Sequence, residues 1–427
     1  MSKYLFKGGH LVDPVQKIDE ICDIFVSDDV VEAINPESIP DDAEIIDVSG
    51  KFIFPGLVDM HTHAREPGEE YKEDIESASR AAAAGGYTTI VTMPNTKPPI
   101  DTADRVAFVY ERGMLASTWV YPMGAVSKNL AGEQLAELAD MAQSGAVAFS
   151  DDGYPIANSE LMRNALTYSA QLDIPILVHE IDPELSAGGQ INEGKVSSLT
   201  GIRGIPAAAE TSMIARDIDL LELTGGKLHI QHISTSGSVE LIRTAKSKGL
   251  HITCEVTPHH LVLTEDDVLE SGFDSNFKMM PPLRSADDVE SLRQGLTDGT
   301  IDAIATDHAP HASHEKDNPF DLANFGIVGL ETALSLVWTK LVMTNVIDKS
   351  RLVELMSVNP AKILDISAGT LKPGSYADIT VFDPDIEWTV NPKDFKSKSR
   401  NTPFVGWKLS GKVIMTMVSG DIVFNLR

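Results

Sequence analysis

Twelve histidines occur in this 427-residue chain, and most of them fall at or near the ends of short apolar runs. His61 and His63 stand two apart in VDMHTHA. On an extended strand alternate side chains share a face, so both imidazoles point one way while Met60 and Thr62 point the other. Such a pair can hold one metal ion, in a geometry unlike the helical i, i+4 pair of HExxH. Four further candidates stand at later strand ends. Asp151 closes AVAFSD, His179 closes PILVH, His232 lies in LHIQHIS and Asp307 in IDAIATDHAPH. Taken singly, an Asp at a strand end is more often a helix cap, and a lone His more often a satisfied polar residue. Six such positions on one rim read differently: four imidazoles and two carboxylates suit two borderline cations such as Zn²⁺. A carboxylate has two oxygens and can bridge such a pair.

Neighbouring residues force choices within this set. Asp152 follows Asp151 and the pleat sends it to the opposite face, so only one of them is a ligand; the reading favours Asp151. His229 and His232 are three apart and also oppose each other, and His232, nearer the strand end, is preferred. His259-His260, after Pro258, either orient the centre or form a buried hydrogen-bonded pair. His10, His251 and His314 are taken as ordinary polar residues.

These side chains need a frame that collects strand ends. Apolar and period-2 runs at 57–63, 88–95, 119–125, 146–151, 175–179, 227–234, 251–258 and 301–307 read as buried strands. Helix-like stretches at 73–84, 133–143 and 238–247 lie between them, the first stopped by Gly85-Gly86. The fold class is therefore α/β, a (β/α)₈ TIM-type barrel over 53–365, with its site at the C-terminal ends of the strands. Residues 1–52 and 366–427 carry short strands split by Gly, Pro and Asp turns, and neither end makes a sheet alone. Together they are expected to form a small β-sandwich domain.

Composition narrows the function. Lys plus Arg number 35 and Asp plus Glu 63, a formal net charge of −28. That argues against a nucleic-acid or anionic-membrane surface, while leaving a small anionic substrate possible in a locally positive pocket. Cys22 and Cys254 are too few for a disulfide framework. With no apolar run of about 18 residues and no h-region at the start, the expected location is cytoplasmic.

The motifs GLVDMHTHAREPG, GGYTTIVTMPNTKP, AFSDDG, LHIQHISTSGSVELIR, CEVTPHHLVLTEDD, KMMPPLR, GTIDAIATDHAPH and FGIVGLETAL occur in this order. Together they resemble the class I dihydroorotases of the amidohydrolase superfamily, from about residue 50 to 365. The resemblance implies two Zn²⁺ per subunit: one held by His61 and His63, the other by His179 and His232, with Asp151 and a hydroxide bridging them. It implies that Asp307 is the metal-bound catalytic residue. His63, Arg65, Asn95 and His311 would contact substrate, and Phe325-Gly326 would touch the pyrimidine ring through backbone. The substrates implied are N-carbamoyl-L-aspartate and dihydroorotate in pyrimidine biosynthesis. A homodimer and an association with aspartate transcarbamoylase are also implied. Hydantoinases of this superfamily use a carbamylated Lys as the bridge, and AFSDDG has no Lys there.

Two positions depart from the family pattern. KxNPPLR reads KMMPPLR, so Met280 stands where a substrate-contacting Asn is usual, and Asn324 replaces the Pro of APFG. A thioether cannot donate, and an unmatched polar group on the ring would weaken binding by about 1–3 kcal/mol. A second reading is a hydantoinase-like or dihydropyrimidinase-like cyclic amidase: loss of the Asn gives it mild support, while the Asp bridge and Arg65 with Asn95 argue against it. A third reading, a non-catalytic scaffold for a transcarbamoylase, is disfavoured because all six expected ligands are present. The polar stretch 311–326 is either a lid that closes over substrate or an ordinary surface loop.

Overall fold

Eight short parallel strands carry the centre of the molecule: Leu57–Thr62, Tyr87–Thr92, Trp119–Pro122, Phe149–Ser150, Ile176–Val178, Leu228–Ile230, Ile252–Val256 and Ala303–Ile304. They are the eight expected from sequence, each shorter than its apolar run. This computed structural model describes residues 3–426. The first three strands pair as one parallel sheet and the other five as a second. Isolated parallel bridges, Gly124 with Phe149 and Thr62 with His308, join the two sheets edge to edge and close the barrel. Asp59 fixes that closure. Its buried carboxylate accepts from Thr306 N at 2.8 Å, Thr306 Oγ1 at 2.6 Å and Thr62 Oγ1 at 2.5 Å, linking the first strand to the end of the last.

Outside the strands lie helices including Ile75–Ala84, Ala103–Gly113, Ser159–Leu172, Ala208–Thr224, Ser236–Ser247 and Ala286–Asp298. Ile75–Ala84 starts where the Asp74 side chain accepts from Ser77 N at 2.7 Å, satisfying one of the amides that a helix start leaves open. It ends at Gly86, whose φ of 87° lies in the left-handed region that favours glycine. Ala78, Ala81, Ala82 and Ala83 are buried and let the helix approach the strands closely. The helix expected over 133–143 is confined to Leu138–Gln143, because Leu135 instead makes a β-bridge with Ser127 and extends the preceding loop.

Both chain ends meet in one eight-stranded mixed sheet. The strand Phe52–Pro55 is the link: it runs parallel to Lys3–Asp13 and antiparallel to Ile379–Thr389. Phe6, Leu11, Ile24 and Ile53 from the N-terminal part share a buried core with Ile379, Val381 and Met417 from the C-terminal part. Among the described residues no helix is long and apolar enough to cross a membrane.

Candidate active site

The ends of the barrel strands bring six ring or carboxylate side chains together. His61 Nε2 lies 3.3 Å from Asp152 Oδ1 and 3.6 Å from Asp307 Oδ1. His63 Nε2 lies 3.1 Å from Asp307 Oδ1 and 3.4 Å from Asp152 Oδ2. On the other side His179 Nδ1 and His232 Nε2 are 2.9 Å apart, and they stand 3.5 and 3.6 Å from Asp152 Oδ1. All six residues are buried. His232 and Asp307 both adopt left-handed backbone, with φ of 30° and 45°. For non-glycine residues that conformation stores strain, which is tolerated where it aims a functional side chain.

The expectation for Asp151 is corrected by this geometry. Asp152, not Asp151, enters the imidazole cluster. Strand pairing ends at Ser150, so the alternation that favoured Asp151 no longer governs the next two residues. Asp151 turns back to accept from Val126 N at 2.8 Å, Ser127 N at 2.9 Å and the Ser127 hydroxyl. Burial raises its carboxyl to about 6. Asp152 shows the opposite balance: burial opposes its charge, but the surrounding imidazoles of His61, His179 and His232 outweigh burial and hold it well below the usual range.

The donor set fits metal ions. His61 Nδ1 is 2.6 Å from Glu255 Oε1, so the ring donates there and its Nε2, which has no hydrogen-bond partner, presents a lone pair to the centre. His63 Nδ1 similarly donates to Asn95 Oδ1 at 3.0 Å. Asp152 Oδ1 is also buried without a hydrogen-bond partner. Two groupings have the spacing of a metal site, His61 with His63 and Asp307, and His61 with Asp152 and His232. Asp152 directs one oxygen toward His61, His179 and His232 and the other toward His63, an arrangement suited to spanning two ions.

Glu255 was not singled out in the sequence. The signal was present as a charged residue inside the apolar strand ITCEV, where only a buried partner makes a carboxylate tolerable. It also takes His229 Nε2 at 3.3 Å, which accounts for His229 pointing away from the centre. His61 and His229 together pull the Glu255 carboxyl to about 2 despite its burial. His260 is fixed between Thr257 Oγ1, 2.8 Å, and Pro281 O, 3.0 Å, and so braces the segment that carries Met280.

A cavity of about 280 Å³ opens above the cluster. His63, Arg65, Asn95, Met280, His311, Phe325 and Gly326 all line it with the metal-facing residues. Arg65 donates Nε to Pro310 O at 3.2 Å. His311 is held neutral, lowered to about 2 by burial and by the charges of Arg65, Lys316 and Lys72, and its Nε2 donates to Phe325 O at 2.8 Å. Gly326, at φ 123°, needs its missing Cβ, which would lie 2.7 Å from the Ala309 side chain. Its N–H already donates to Lys278 O at 2.9 Å. Gly326 O accepts from both Lys316 Nζ and Asn401 Nδ2, so the backbone expected to read the substrate ring is largely engaged within the protein, leaving Phe325 N and one lone pair of Phe325 O for a ligand.

The sequence profile described as "Amidohydrolase family" matches residues 52–423. A dihydroorotase of Pelotomaculum thermopropionicum is 50% identical over 425 residues, covering 100% of this chain and 99% of that protein. One from Syntrophus aciditrophicus is 50% identical over 426 residues, covering 99% of each. Among solved structures, the L-hydantoinase (dihydropyrimidinase) of Arthrobacter aurescens superposes with a TM-score of 0.89 at 29% identity, covering 100% of this chain and 96% of that one.

Proposed function

The chain belongs to the amidohydrolase family, and we propose that it is a dihydroorotase, opening the ring of dihydroorotate to N-carbamoyl-L-aspartate and closing it in the biosynthetic direction. The observation that carries this reading is full-length similarity at about half identity to dihydroorotases, joined to a six-residue cluster beneath a pocket with a buried Arg. Within this reading the barrel is the catalytic unit, 53–365, and the two chain ends, 1–52 with 366–427, are its β-domain.

The metal-holding residues are His61, His63, His179, His232, Asp152 and Asp307, a set for two Zn²⁺. Ions held there would supply a water activated near neutral pH and polarisation of the scissile carbonyl. The protein's own groups supply the rest. Asp307 takes a proton from the water that adds to the carbonyl carbon and returns it to the ring nitrogen as the C–N bond breaks. His61 and His63 stand 3.6 and 3.1 Å from its Oδ1, and in spite of burial they hold the carboxyl below the usual range. It is therefore ionised. Arg65, a fixed fork of donors, binds the substrate carboxylate, with Asn95 and His311 beside it. Met280 gives an apolar contact where an amide would have paired with the ring.

Purified protein is expected to turn over dihydroorotate far faster than dihydrouracil or hydantoin, neither of which carries the carboxylate that Arg65 would hold. Asp307→Asn should keep most of its bound metal and lose turnover by 10³-fold or more. A preference for hydantoin, or near-normal turnover by the variant, would remove the substrate assignment or the proton-transfer role respectively.

A further inference from the structure

Two buried lysines, Lys316 within the loop 311–326 and Lys278 beneath it, have no carboxylate partner among the described residues. Lys316, 5% exposed, lies at the end of the short helix Ser313–Lys316 and reaches forward to the far end of its own loop. Its Nζ donates to Asn324 O at 2.8 Å, Gly326 O at 3.0 Å and Lys278 O at 3.4 Å. Lys278, 2% exposed, approaches from the segment that carries Met280. Its Nζ donates to Phe320 O at 2.7 Å and Asp321 O at 3.2 Å, and sits 4.5 Å from the centre of the Phe325 ring. Lys72 nearby behaves as a buried lysine usually does, pairing with Glu69 at 3.1 Å and Glu315 at 2.9 Å.

Burying an ammonium without a counter-ion is costly, so carbonyl oxygens must replace the water that solvated it. Here every such oxygen belongs to the loop or to Lys278, in the irregular segment beneath it. The two cations thereby draw residues 320–326 down onto 278, and they do so beside Phe325 and Gly326, which line the substrate cavity. Asn401 Nδ2 adds a third tie, to Gly326 O at 3.1 Å and Ala309 O at 3.0 Å.

We infer that Lys316 and Lys278 are positioning residues: their Nζ groups bind the carbonyls of the loop 311–326 and hold it closed over the centre, so that the backbone of Phe325-Gly326 stands beside Met280 at the substrate cavity. The inference rests on the dihydroorotase reading for its substrate, and its test separates the two. Amide hydrogen exchange is measured on the full-length, metal-loaded parent and on Lys316→Met and Lys316→Arg, alongside steady-state kinetics on dihydroorotate. In Lys316→Met the amides of 312–326 are expected to exchange at least tenfold faster while barrel amides and metal content match the parent. KM is expected to rise tenfold or more with kcat changed less. The Arg variant, which keeps a charged donor, should lie closer to the parent on both readouts.

Loop exchange within twofold of the parent would overturn the inference. So would a uniform rise across the barrel with metal loss, which marks a merely structural role. If the Met variant does not fold, Lys316→Gln, with two N–H donors and no charge, takes its place: partial loosening confined to the loop supports the clamp, and parent-like exchange overturns it. A parent inactive on dihydroorotate would defeat the substrate reading while leaving the exchange result to decide the clamp.

Discussion

Asp152 is fully buried yet held ionised, because the imidazoles of His61, His179 and His232 converge on it. Removing that charge should therefore disperse the cluster, whereas its chain neighbour should matter only for the loop it ties down. Asp152→Asn is expected to retain less than half the metal of the parent after dialysis, with turnover down 10³-fold or more. Asp151→Asn should keep its metal and lose about 1–3 kcal/mol of stability, since an amide replaces a carboxyl that meets two backbone N–H groups and the Ser127 hydroxyl. Elemental analysis with a urea melt checks both, and the reverse pattern would restore Asp151 to the centre. The same pair shows the limit of reading from sequence. His61 and His63 were legible because they extend a regular strand, where period 2 decides direction. Asp151 and Asp152 lie just past a strand of two paired residues, where turn hydrogen bonds decide instead. The tie of Glu255 to His61 spans 194 positions and leaves no periodic trace.

The strands themselves were legible, because β-rich apolar runs bounded by Gly, Pro and Asp need no distant partner to be recognised. What closes them was not. The closure rests on Asp59, an acid inside the apolar strand LVDMHT, whose three donors come from Thr62 and from Thr306 at the far end of the barrel sequence. Asp59→Ala would leave Thr306 N, Thr306 Oγ1 and Thr62 Oγ1 buried without this acceptor, at about 1–3 kcal/mol for each one that finds no other. A loss of at least about 3 kcal/mol in urea unfolding is expected, with faster amide exchange concentrated in Leu57–Thr62 and Ala303–Ile304. A loss below about 1 kcal/mol would mean that the parallel bridge between Thr62 and His308 closes the barrel unaided. The loop 311–326 was likewise visible only as a polar stretch, since its order comes from lysines whose acceptors are carbonyls, and carbonyls carry no sequence signature.

At the scale of the whole molecule, the sheet made from both chain ends must stay registered with the barrel, and Asp378 stands where they join. Its backbone carbonyl accepts from Gly56 N at 2.8 Å, one residue before the first barrel strand. Its carboxyl accepts from Ser419 N at 2.8 Å and from Trp119 Nε1 at 3.0 Å, on the third barrel strand. Burial outweighs these donors and raises the carboxyl from 3.8 to about 6. Between those values the folded chain keeps a proton that the unfolded chain has released. The stability this group contributes is then full below about pH 4 and falls as pH rises through about 6. A shift of about two units corresponds to about 3 kcal/mol across that window. Asp378→Asn keeps an acceptor oxygen and cannot ionise, so its stability relative to the parent should grow by up to about 3 kcal/mol from pH 4 to 7 and stay flat above. Urea melts of both proteins at intervals across that range isolate the slope, because the other titrating groups cancel in the difference. A difference that does not change with pH would mean that Asp378 is ionised in the folded chain throughout, and that the junction carries a full negative charge.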